Sequence, residues 1–95
     1  MVRANVSREV IASPLFVTLY TNDTQVQVSP WDVRLVFGEI SVPATPEHST
    51  NVVKQTGEVR MSPQHAKVVA MILIAQLQQY EATFGPIPTP QLGTV

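Results

Sequence analysis

The stretch Met61-Ser-Pro-Gln-His-Ala-Lys-Val-Val-Ala-Met-Ile-Leu-Ile-Ala-Gln-Leu-Gln-Gln-Tyr-Glu-Ala-Thr-Phe-Gly85 decides the fold. Ser62 has an N-capping side chain, and Pro63 fits the first helical position, where a missing N–H costs nothing. Gly85 accepts the left-handed conformation that closes a helix, and Pro86 forbids its continuation. The spacing therefore predicts one long helix. At 3.6 residues per turn, Ala66, Val69, Ala70, Leu73, Leu77, Tyr80 and Phe84 share one face, which is expected to lie on a sheet. Val68, Met71, Ile72, Ile74 and Ala75 form a second apolar set around the middle of the rod. Polar residues are concentrated toward its ends.

Working outward, the segments before the helix read as strands. Leu15-Phe-Val-Thr-Leu-Tyr20 is rich in strand formers, with Leu15, Val17 and Leu19 on the more apolar side. Gln25 to Val28 alternates again. Between them, Asn22-Asp23 reads either as a hairpin turn or as a bulge in one long strand, the latter favoured because neither residue is Gly. Ser29-Pro30-Trp31-Asp32 is a turn: Pro30 presets φ, and the Ser29 hydroxyl can fold back onto the backbone. Alternation from Asp32 to about Val42 predicts a half-buried strand. Pro43 to Asn51 reads as an exposed loop, and Val53 to Met61 as a third long strand or a strand with a kink at Gly57. Residues 1–14 show no period and are expected to form a flexible arm, and 87–95 an extended, proline-rich tail. The expected architecture is α+β: an antiparallel sheet of three to four strands, then one long C-terminal helix packed on it, forming a single domain over residues 15–86.

Composition limits the functional classes. The chain has 95 residues, enough for one domain. Only 14% are charged and 44% are hydrophobic, against an average charged share of about 25%. So few charges leave little to coat a surface. Net charge is −1 and the six basic residues are dispersed, which argues against nucleic-acid binding, since that needs a basic stripe to displace counterions. The absence of cysteine removes disulfides and thiolate chemistry. The longest apolar run, Val68 to Ala75, is far short of the roughly 20 residues that span a bilayer. The N-terminal residues lack the apolar centre of a signal peptide, so a cytoplasmic protein is expected.

No catalytic or metal-binding constellation is legible. His48 and His65 lack a second ligand at metal-site spacing. Glu47-His48-Ser49 has the residue types of a nucleophilic site but sits in a predicted loop without the rigidity a triad needs. Asp32 and Glu39 differ in parity and fall on opposite faces of their strand. The expectation is a protein that is not an enzyme and carries no cofactor or metal.

The helix implies a partner instead. Burying a side chain such as Met71 or Ile72 is worth about 1.5–3 kcal/mol, so leaving several in water forfeits an amount comparable to a small domain's whole stability. A three-stranded sheet offers one inner face, whereas this helix needs two covers. A homodimer or higher homo-oligomer is therefore expected, with Val68, Met71, Ile72, Ile74 and Ala75 at the interface. Trp31, Phe16 and Tyr20 are candidate contacts for another protein.

Several pieces resemble a bacterial and archaeal family, the domain of unknown function 3467: Tyr20-Thr-Asn22, Ser29-Pro-Trp-Asp-Val-Arg-Leu-Val-Phe37, Met61-Ser-Pro-Gln-His-Ala-Lys67, Gln79-Tyr80-Glu81 and Phe84-Gly85. The likeness covers about residues 19–86. Gln64 stands where the family has Glu, Val36 where an Asp is common, and the helix centre is more apolar than usual. The resemblance implies no activity. An adaptor or assembly subunit fits these readings. The alternative is a peptide-binding module, since a long-stranded sheet followed by a terminal helix is similar in topology to SecB-like chaperones.

Overall fold

The computed structural model describes residues 6–89. Within them the chain forms three strands and one helix: β1 (Asp23–Val28), β2 (Val33–Val42), β3 (Val52–Met61) and α1 (Pro63–Phe84). The strands make an antiparallel sheet in the order β1-β2-β3, and the fold is α+β. The expected arm and tail fall partly on residues 1–5 and 90–95, which lie outside the described residues. Residues 6–14 and 87–89 carry no strand or helix.

The hairpin between β1 and β2 is tied by one side chain. The Ser29 Oγ accepts from the N–H groups of Trp31 and Asp32, each at 3.1 Å, and donates to Asp32 Oδ1 at 2.9 Å. This hydroxyl supplies the acceptor that the backbone would otherwise have to provide, as the Ser-Pro pair predicts. The loop between β2 and β3 is exposed and turns at Thr45–His48, with mutual backbone bonds of 2.6 and 3.1 Å. Asn51 closes it by accepting from the Ala44 N–H.

Register is interrupted twice between β2 and β3. Phe37 faces Gly57 while Gly38 faces Gln55, which leaves Thr56 as the extra residue of a bulge, so of the two readings of this strand the irregular one, at Gly57, is the one found. Ile40 faces Val53 while Val42 faces Val52, leaving Ser41 extra, and its hydroxyl donates to the Val52 carbonyl at 3.1 Å.

The segment Leu15–Tyr20, expected as a strand, is not one. β1 begins at Asp23, and residues 15–20 have no ladder partner. Two side chains end the ladder. The Thr21 Oγ1 accepts from the Gly38 N–H at 3.1 Å and lies 2.8 Å from the Gly38 carbonyl. Asn22 Oδ1 then takes the Ile40 N–H at 2.9 Å, the next donor along β2. With these groups spent, the chain leaves the ladder and crosses the sheet face. Nor is Asn22-Asp23 a hairpin turn: Asp23 pairs with Gly38, and the Asn22 N–H also reaches the Gly38 carbonyl at 3.0 Å. Two residues thus stand opposite one, as in a bulge.

The helix has the predicted ends. The Ser62 side chain accepts from the His65 N–H at 3.1 Å, Pro63 opens the first turn, and Gly85 at φ 98° donates its N–H to the Glu81 carbonyl. The Glu81 side chain also accepts from the Ile87 N–H at 2.9 Å, fixing the exit of the chain.

One face of the sheet is polar. Arg34 donates to Gln27 Oε1 at 2.9 Å and to Glu58 Oε2 at 2.8 Å, and Arg60 donates to Glu58 Oε1 at 2.5 Å. These hydrogen bonds, the one from Arg34 foremost, hold the Glu58 carboxyl down at about 2, below its ordinary 4.5. The same pair raises Arg34 above its usual value. Because the carboxyl is depressed in the folded state, its stabilising contribution is complete above pH 4.5 and is lost as pH falls toward 2. The stability gap between wild type and Glu58→Gln should therefore close across that window in acid-titrated urea denaturation. A gap that stays constant with pH would show that Glu58 gains nothing from its arginines.

The two sheet glycines should respond differently to substitution. A Cβ at Gly38 would lie 2.8 Å from the Lys54 carbonyl oxygen, whereas one at Gly57 would meet the end of the Leu19 side chain at 2.9 Å. Backbone cannot give way as a side chain can. Gly38→Ala should cost about 1–3 kcal/mol in urea unfolding, and Gly57→Ala less.

Candidate functional site

The apolar residues that the strands alternate onto one side do not form a closed core. Register places Val26, Val28 and Thr24 of β1 beside Leu35, Val33 and Phe37 of β2, with Val59, Met61 and Gly57 of β3 completing the same face. Among the described residues only Val33 and Val36 are buried apolar side chains, and Val36 belongs to the polar face. The apolar face is instead half covered by two elements. Leu19 sits over Gly57, and Val17 and Leu19 line a hollow with Phe37 and Val59. At the other end stands the first half of α1.

Between α1 and the sheet is an open cleft of about 640 Å³. Its floor is Val26, Val28, Val33, Leu35 and Phe37, and its roof is Ala66, Val69, Ala70 and Leu73. Lys67 is the one charged residue on its wall. Thus the stripe expected to face the sheet does so only over its first turns. Leu77, Tyr80 and Phe84 line no part of the cleft and are exposed, the Tyr80 and Phe84 rings meeting at a tilt of 44° with centroids 4.9 Å apart.

The second stripe is bare. Met71 is 62% exposed, Ile72 57% and Ile74 56%, and Val68 and Ala75 are exposed with them. No residue of α1 is buried. These five side chains lie together along one rod, as their spacing requires.

Trp31, Phe16 and Tyr20 are not brought together. Trp31 stands at the hairpin tip, 84% exposed, and Phe16 and Tyr20 belong to the crossing segment. None of the three lines the cleft. Phe16 and Tyr20 are exposed and do not line the hollow that Val17 and Leu19 share with the sheet. The cleft itself is not legible in the sequence, although the alternation of Val26, Val28, Val33, Leu35 and Phe37 marks its floor.

His48 lies in the β2–β3 loop and His65 in the first turn of α1, engaged through backbone groups. Among the described residues, no three His, Asp or Glu side chains gather closely enough to hold a metal ion. No helix there is long and apolar enough to cross a membrane.

No curated protein and no solved structure matches the chain. A family model described as "Protein of unknown function (DUF3467)" matches residues 2–89, nearly the whole length, including the Tyr20-Thr-Asn22 segment that ends the ladder and the Ser62-Pro63 helix start. The chain belongs to the DUF3467 family.

Proposed function

We propose that this protein is a non-catalytic oligomerising module, an adaptor or assembly subunit whose missing apolar cover is another copy of itself. The observation that carries the reading is the helix: 22 residues, none buried, with apolar side chains on two sides. Ordering a residue's backbone costs about 1–2 kcal/mol, and two buried valines offset little of that over a chain of this length. Association would complete the core.

The exposed area supports the same reading. A compact monomer of 10.4 kDa exposes about 5,400 Å², whereas this chain exposes 9171 Å². Much of that excess lies on residues 6–20, exposed throughout, and on α1, none of whose residues is buried. A standard interface needs about 800 Å² from each partner.

A second reading, a peptide-binding or SecB-like chaperone module, is favoured by the apolar cleft, which could take the side chains of an extended client. Suppression of aggregation of an unfolded client by the purified protein would support it. No suppression at molar excess would remove it.

The leading reading is tested by gel filtration with light scattering at tens of micromolar, where an oligomer is expected and a monodisperse monomer would overturn it. Met71→Glu and Ile72→Glu should shift the assembly toward monomer while the far-ultraviolet circular dichroism is kept. Equal loss of assembly and of fold would make these ordinary core positions.

A further inference from the structure

The two edges of the sheet differ. β3 carries Lys54, Glu58 and Arg60 and is broken by the Thr56 bulge, the usual devices that stop a strand edge from pairing. β1, Asp-Thr-Gln-Val-Gln-Val, has one charge at its start, no proline and an unbroken register from Asp23 to Val28. Its outward groups can be assigned. Ser29 donates to the Asp32 carbonyl across the hairpin, so antiparallel alternation turns the main-chain groups of Gln25 and Gln27 toward β2. Those of Thr24, Val26 and Val28 point away from the sheet. The same three residues contribute their side chains to the wall of the apolar cleft.

We infer that β1 is a self-pairing edge: two copies join antiparallel through β1, giving one six-stranded sheet across a two-fold axis. This rests on the oligomerising reading above and names the surface through which it is achieved. A register centred on Val26 pairs it with Val26 of the second copy, and Thr24 with Val28 of the second copy. Asp23 then falls opposite Ser29 of the second copy, so no like charges meet. The axis is perpendicular to the sheet, which keeps both apolar faces on one side. Both clefts and both helices then share that side.

Proline at position 26 tests the edge selectively. It removes an N–H that points outward, leaves the bonds to β2 intact, and is tolerated on edge strands. Val26→Pro should weaken self-association about tenfold or more by deleting the central pair of hydrogen bonds, with circular dichroism unchanged. Amide exchange of the wild-type protein gives an independent readout that needs no variant: the Thr24, Val26 and Val28 amides should be protected in the assembly and lose protection on dilution to monomer. A wild-type monomer would overturn this inference and the oligomerising reading together. An assembly that Ile72→Glu dissociates, but in which the three amides exchange freely, would overturn this inference alone. Free exchange that slows only when an extended apolar peptide is added would replace the second copy with a foreign strand.

Discussion

The structure depends on a shortage of internal cover. Its strands alternate well enough to make one face of the sheet continuously apolar, but the chain provides only a short crossing segment and the first turns of one helix to lie on it. Hydrophobic burial is roughly proportional to apolar area removed from water, and here most of that area is still in contact with solvent. Among the described residues Val33, where the hairpin, β3 and the helix approach converge, is the one buried apolar side chain on that face. Any account of this protein has to supply the remaining cover, and this is why the proposed function is association rather than chemistry.

What fixes the chain's path is consequently more polar than usual. Ser29 organises one hairpin, Asn51 the other, Thr21 and Asn22 terminate the ladder, and Ser62 and Glu81 define the helix ends. Each satisfies backbone groups that would otherwise be left without a partner at an element boundary. Such bonds contribute modestly to net stability, about 0.5–1.5 kcal/mol each, but they are specific about direction. They set where elements begin and end, and leave the apolar surfaces to decide what packs against them.

Much of this was legible. The helix bounds follow from Ser62-Pro63 and Gly85-Pro86, the Ser29 turn from Ser-Pro, and β2 and β3 from period-two alternation. The strand expected at Leu15–Tyr20 was not formed, although its residues have strong strand propensity. Propensity describes how a side chain suits a pleated surface, and it does not guarantee a neighbouring strand. The deciding residues, Thr21 and Asn22, act through side-chain bonds to Gly38 and Ile40, seventeen and eighteen positions away, which no local pattern reports. The bare stripe Val68, Met71, Ile72, Ile74 and Ala75 was legible from spacing alone. The cleft was not, because it depends on how far the helix stands from the sheet.

The bulge at Thr56 has a consequence for growth. A sheet with two receptive edges can add copies indefinitely, and with this much uncovered aliphatic surface it would build filaments. Here one margin is interrupted by an extra residue and studded with Lys54, Glu58 and Arg60. If copies join through β1 as proposed, extension from this margin would be disfavoured and growth along the sheet would end after a single junction.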